Sequence, residues 1–128
     1  MSYYLATTRA MDFSAAIQRV TAALKHEGFG VLTDIDVQAT LKAKIGVDVP
    51  PYRILGACNP SFAHQALQLE NKLGVLLPCN VIVREAAPGR VEVAAIDPVT
   101  SMERTGNADL EAVAGEVRAR LQRVIDTL

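Results

Sequence analysis

The segment from residue 75 to residue 97 constrains the fold of this chain more than any other. It contains two apolar runs, VLLPCNVIVREA (75–86) and RVEVAAID (90–97), on either side of the turn-forming residues Pro88 and Gly89. Proline and glycine between two runs of strand-forming residues predict an antiparallel β-hairpin. Together with long amphipathic helices elsewhere, the hairpin favours an α+β fold over a doubly wound parallel sheet.

Three further strands are predicted, over residues 3–9, 29–36 and 52–58. Apolar residues at helical spacing predict helices from Phe13 to about Glu27, from 37 to 45, from Pro60 to about Leu73, and after Asn107 to the end of the chain. The predicted order is β-α-β-(α)-β-α-β-β-α. We therefore expect one domain over residues 1–128, with a mainly antiparallel sheet of about five strands and helices on one face.

The composition of the chain limits the kinds of molecule that the protein is expected to bind. The chain has 128 residues, of which half are hydrophobic, and its net charge is -1. No basic stripe or aromatic platform is visible, so we expect no nucleic-acid partner. No apolar run approaches the about 20 residues of a membrane span, and the N-terminus does not resemble a signal peptide. These features predict a cytoplasmic protein with no membrane partner, whose thiols stay reduced.

The two cysteines are the most informative candidate site residues. Cys58 closes the predicted third strand, and Cys79 lies in the predicted fourth strand. Because side chains alternate along a strand, and if charged residues such as Arg53 face water, Cys58, Cys79 and Asp97 all point to the less polar side. We therefore predict that these three residues, with Asn59, form the candidate functional group.

Several interpretations of the cysteines stay open. They are packed core thiols, a redox or sulfur-handling pair, or a site in which Cys58 is activated by the helix that starts after it. Two cysteines about twenty residues apart lack the usual ligand spacing of structural zinc, so no metal site is predicted. A core of this size is stable without a disulfide bond, so we predict that Cys58 and Cys79 are not bridged. Asp97 before Pro98 is most simply a turn or helix cap.

Three segments together carry a family resemblance: ILGACNPSFAHQAL, LGVLLPCNVIVRE and VEVAAIDPVTSM. They resemble the bacterial and archaeal family called domain of unknown function 302. The resemblance implies a small α+β fold of the TATA-binding-protein-like class, with a curved antiparallel sheet, and it implies dimers. It supplies no established activity. Family-typical positions present here are Cys58, Asn59, Pro60, Pro78, Cys79, Asp97 and Pro98.

Two functions follow as hypotheses. The absence of catalytic motifs, and a sheet whose second face needs covering, favour a homodimeric module that binds a small molecule or a partner, without a cofactor. The alternative is a thiol-dependent enzyme or a sulfur or redox carrier that uses Cys58 with Cys79. The sequence does not decide whether the protein is an enzyme.

Overall fold

Five strands form one antiparallel sheet. The computed structural model describes residues 2–128, and its strands are β1 (Tyr4–Ala10), β2 (Gly30–Asp36), β3 (Tyr52–Cys58), β4 (Cys79–Ala87) and β5 (Arg90–Ile96). Their order across the sheet is β1-β5-β4-β3-β2, and the sheet is open and curled. β4 and β5 form the hairpin that the sequence predicts, and the first strand returns to pair with the last. The α+β fold class is confirmed.

The first three helices begin after the N-cap residues that the sequence predicts, whereas the last helix begins at Glu111, after a 3₁₀ turn (Ala108–Leu110) that Asn107 caps. The helices are α1 (Phe13–His26), α2 (Val37–Ile45), α3 (Pro60–Leu69), α4 (Pro98–Glu103) and α5 (Glu111–Asp126). Asp12, Asp36 and Asn59 each accept a hydrogen bond from the backbone N–H three residues on. Such caps satisfy donors that the first turn of a helix leaves unpaired. None of the described helices is long and apolar enough to cross a membrane.

The main core lies between α1, α5 and one face of the sheet. Register pairs Leu55 with Val81 and Val83 with Val93, and all four side chains are buried. α1 and α5 cover this face with buried side chains at helical spacing: Ala16, Val20, Leu24, Val113, Val117, Leu121, Val124 and Ile125. Burying a Val, Leu or Ile side chain contributes roughly 1.5–3 kcal/mol each, so this interface dominates the stability of the fold.

The boundaries of α3 and β4 also differ from the sequence prediction. α3 ends at Leu69 rather than near Leu73, and a short 3₁₀ turn (Leu73–Leu76) follows it. β4 starts at Cys79 rather than at residue 75, because Pro78 has no N–H to donate to a β-ladder. The sequence prediction also lacked the short helix α4, although it recognised Asp97-Pro98 as a possible cap.

The opposite face of the sheet is more open. A row of apolar residues crosses all five strands in register, and it consists of Ile35, Ile54, Ile82, Ala94 and Ala6. Ile82 and Ala94 are half-buried, whereas Ile35 remains 47% exposed.

Gly56 in β3 lies where three chain segments meet. A Cβ atom built on Gly56 would lie 2.7 Å from Cγ of Pro78 and would overlap the Thr33 hydroxyl. Thr33 is the residue paired with Gly56 across the β2–β3 ladder. Glycine is therefore needed here because of the close approach of Pro78 and Thr33, not because of its backbone angles.

We predict that Gly56→Ala lowers the free energy of unfolding by about 1–3 kcal/mol, the usual cost of overpacking. The matched control is Gly30→Ala in the neighbouring strand, where nothing lies within 4 Å of the added Cβ. Urea denaturation of the two variants measures the difference. Equal stability of both variants would contradict the close packing of Pro78 on Gly56.

Candidate functional site

A cavity of about 300 Å³ lies at the end of the sheet where β3 finishes and β4 begins. α3 packs against α5 rather than against the strands, which leaves space between the two helices and the sheet end. The cavity is lined by Phe29, Leu32, Ala57, Cys58, Asn59, Phe62, Ala63, Ala66, Leu67, Leu77, Pro78, Cys79, Met102, Val113 and Val117. Apart from the two thiols and Asn59, every lining side chain is a hydrocarbon or a thioether.

Small side chains keep the cavity open. Ala63 and Ala66 lie one turn apart on the inner side of α3, and Ala57 is buried near the end of β3. Because alanine fills little volume, the helix approaches without closing the space. Leu32 and Leu67 lie at the cavity and are 67% and 39% exposed, so the opening is also apolar.

Both cysteines line the cavity, and each is a free thiol. Cys79 pairs with Ala57, the neighbour of Cys58, so the two cysteines lie at adjacent positions of neighbouring strands. Cys79 is 8% exposed, and Cys58 is half-buried.

The prediction that Cys58 shares a face of the sheet with Cys79 was wrong. That prediction assumed that Arg53 faces water. In the structure, Arg53, Leu55 and Ala57 all lie on the helix-covered face of the sheet. There Nε of Arg53 donates a hydrogen bond to the carboxylate of Asp34. This hydrogen bond lowers the pKa of the Asp34 carboxyl. By alternation Cys58 therefore belongs to the opposite face from Cys79. They nevertheless line the same cavity because β3 ends at Cys58.

The Cys79 thiol lies where water cannot solvate a negative charge. Burial, and secondarily the charge of Cys58, raises the pKa of the Cys79 thiol to about 11. Burial disfavours an anion because the surrounding hydrocarbon cannot solvate it. Cys79 is therefore a neutral thiol at neutral pH.

Asn59 has a structural role at the edge of the cavity. Its Oδ1 accepts a hydrogen bond from the Phe62 N–H at 3.4 Å and so caps α3. Its amide lies against Gly28, which has a positive φ of 87° at the end of α1. Nearby, the Arg120 guanidinium stacks over the Phe62 ring at 5.2 Å and donates to the carbonyl of Glu27 at 3.1 Å. These contacts fix the start of α3 against α1 and α5.

Asp97 lies away from the cysteine cavity. Its carboxylate accepts from the Val99 N–H at 2.9 Å, capping α4, and from Nε of Arg118 at 3.0 Å on α5. Its own N–H donates to the carbonyl of Tyr3. The structure thus brings Cys58, Asn59 and Cys79 together, but Asp97 joins β5 to α5 and to the N-terminus.

Sequence reasoning missed the apolar walls of the cavity. Phe62, Ala66, Val113 and Val117 have the helical spacing of ordinary core residues, which gives no sign that α3 and α5 leave a space. Met102 was noticed only as part of the family resemblance. Its position depends on α4, which the sequence prediction lacked.

Comparisons with known proteins support one family. The family model described as "Domain of unknown function DUF302" matches residues 4–128. A crystal structure of an uncharacterized conserved DUF302 protein from Bacillus stearothermophilus is 26% identical, with a TM-score of 0.91 over 98% of each chain. No curated protein matches the chain. The chain belongs to the DUF302 family, whose members are defined by sequence and fold and not by an activity.

The thiol environments predict a pH dependence of alkylation. In Cys58→Ala, which leaves Cys79 as the remaining cysteine, the alkylation rate should keep rising to about pH 11, because the reactive thiolate forms only as the pH approaches its pKa. Iodoacetamide labelling followed by mass spectrometry measures the rate. The same variant in urea is the control and should level off near the free value of about 8.5. A folded-state plateau below pH 9 would contradict the burial of Cys79.

Proposed function

We propose that this protein is a homodimeric binding module of the cytoplasm that takes an apolar small molecule into the cavity between α3, α5 and the sheet end. The observation that carries the proposal is the cavity itself, an open space of about 300 Å³ with hydrocarbon walls. Ligand pockets are concave, mostly apolar and contain few polar groups, and their volumes start at about 300 Å³. The ligand is accordingly small.

The lining residues define the chemistry of this ligand. Asn59 is the one lining residue with an amide side chain, and its Oδ1 is already committed to capping α3. None of the lining residues is Asp, Glu, His, Lys or Arg. A charged ligand would lose its hydration without gaining an ion pair or hydrogen bonds, and burying an unpaired charge is unfavourable in free energy. An uncharged aliphatic or aromatic molecule fits these walls.

Filling the cavity should weaken binding. Ala63→Phe adds a ring from the inner side of α3, and Gln65→Phe adds the same ring to an exposed position of the same helix. We expect Ala63→Phe to weaken binding of benzene by at least about tenfold, or about 1.4 kcal/mol, with little change for Gln65→Phe. Benzene is a suitable probe because it enters dry apolar cavities. Chemical-shift titration of backbone amides measures the affinity.

Two results would count against the binding proposal. One is the absence of any benzene-dependent shift in amides of α3, α5 and the 77–79 segment of the unmodified protein. The other is equal benzene affinity in Ala63→Phe and Gln65→Phe with both variants folded, as judged by thermal unfolding.

The open face of the sheet is the proposed dimer interface. The apolar row defined above crosses this face, and a groove of about 480 Å³ lies beside it. Arg84 and Glu92 in this groove form an ion pair of 2.6 Å. Opposite charges side by side suit a two-fold contact, in which each Arg84 can also approach Glu92 of the partner subunit. Charge and apolar area are thus both self-complementary.

A charge placed in the centre of this face should separate the dimer. We expect Ile82→Lys to be monomeric at concentrations where the unmodified protein is dimeric, because two lysines would be buried near the two-fold axis without partners. Val75→Lys is the control, since Val75 is 86% exposed outside the sheet. Light scattering coupled to size exclusion measures the mass. A monomeric unmodified protein at high micromolar concentration would contradict the interface.

A thiol-dependent activity is the second candidate, and it depends on Cys58. Cys58 is half-buried at the cavity and lies two residues before the first residue of α3. The raised pKa of Cys79 makes that residue a poor nucleophile at neutral pH. Apolar ligand binding is favoured because it needs no activated group. The curled sheet supports the TATA-binding-protein-like class, but a fold class carries no nucleic-acid function.

A further inference from the structure

The cavity runs across the strand ends from the edge strand β2 toward α4. Its lining includes Leu32 from β2, Cys79 from the start of β4, and Met102 from α4, the helix that follows β5. β3 lies between β2 and β4 in the sheet. Because neighbouring strands lie about 4.8 Å apart, the lining from β2 to β4 alone extends over about 10 Å. The cavity is therefore suited to a ligand that is longer than it is wide.

A β-bulge places an exposed leucine at the cavity. Val31 pairs with Ala57 and Thr33 pairs with Gly56, so Leu32 is an extra residue without a partner on β3. Bulges redirect side chains and are common beside functional sites. Leu32 lines the cavity although it is 67% exposed. The irregular backbone of β2 thus adds apolar surface to the opening.

The two ends of the cavity differ in their exposure to water. Leu32 and Leu67, which we call the apolar lip, are exposed on β2 and α3, whereas Met102, Val113 and Val117 are buried. A polar group beyond the apolar lip keeps its hydration. A polar group at the buried end would lose its hydration without gaining a partner. The two ends of the cavity thus suit the two ends of an amphiphile.

We propose that the ligand is a single-chain amphiphile, whose straight alkyl chain fills the cavity and whose polar head stays in water beyond the apolar lip. This inference rests on the proposed function, because it names the class of apolar molecule that the same cavity binds. A dry apolar cavity of about 150 Å³ holds the six carbons of benzene, so the cavity of about 300 Å³ holds about twelve carbons. The alkyl chain is accordingly of medium length.

The site selects the alkyl chain and not the head. None of the lining residues is acidic or basic, so no lining side chain forms an ion pair with a head of either charge. Each methylene that enters the cavity leaves water and adds to the affinity, whereas a methylene beyond the apolar lip does not. The affinity therefore depends on chain length up to the capacity of the cavity.

Calorimetric titration of the unmodified protein with two series of straight-chain amphiphiles tests the proposal. The series are sodium alkanoates and alkyltrimethylammonium bromides, with chains shorter and longer than about twelve carbons, each kept below the concentration at which it forms micelles. We expect the affinity to rise about fourfold with each methylene and to level off near about twelve carbons. Both series should level off at the same length, because the charged head stays in water.

The results separate this inference from the proposed function. If benzene fails to bind, the cavity is not a binding site and both proposals are wrong. Three results would overturn the amphiphile alone while benzene still binds: an affinity independent of chain length, an affinity that does not level off, or binding of only one of the two series. These measurements use the unmodified protein and do not depend on the folding of a variant.

Variants locate the two ends of the alkyl chain. Ala66→Leu adds three carbons to the buried part of the wall and should shorten the chain length at which the affinity levels off by about three carbons. Leu67→Ser should weaken binding of the longest chains at least about fourfold, the value of one buried methylene. Leu69→Ser is the matched control, since Leu69 is 44% exposed on the same helix and does not line the cavity.

Two results with these variants would overturn the placement of the chain. One is an unchanged levelling-off length in Ala66→Leu, and the other is equal affinity of Leu67→Ser and Leu69→Ser for the longest chains. Thermal unfolding shows that each variant is folded before its affinity is compared.

Discussion

Burial of one face of the sheet beneath α1 and α5 is the interaction on which the rest of this structure depends. Leu55, Val81 and Val93 lie on that face at positions paired or neighbouring across the sheet. Strand alternation then forces the intervening side chains to the other side. Once this face is covered, the register of all five strands follows, and so do the positions of the strand ends where the cavity forms.

The cavity results from a helix that does not take part in that burial. α3 follows β3 immediately, and its start is held by the Asn59 cap and by the Arg120 contacts with Phe62 and Glu27. Held there, α3 packs on α5 beyond the end of the sheet. A helix with small residues facing a sheet end leaves space that no strand side chain fills. The candidate site is thus a consequence of how the chain leaves β3.

The two cysteines differ because of their places at this junction. Cys79 begins β4 on the helix-covered face, where burial keeps its thiol neutral. Cys58 ends β3 and is more accessible. Asp97, which sequence reasoning grouped with them, instead connects β5 to α5 through Arg118. An aspartate before a proline is a common helix cap in any part of a protein. The local sequence therefore could not show whether Asp97 caps a helix or belongs to the site with the cysteines.

The sequence by itself determined the order of elements, the hairpin and most helix starts, because alternation, helical spacing and N-cap residues act over only a few neighbours. It also determined the family, through the segments around Cys58, Cys79 and Asp97. Only the tertiary structure decided that Arg53 lies on the helix-covered side, that Pro78 packs on Gly56, and that Met102 joins the cysteines. These features depend on packing between residues distant in the chain, and no local pattern encodes the space that packing leaves empty.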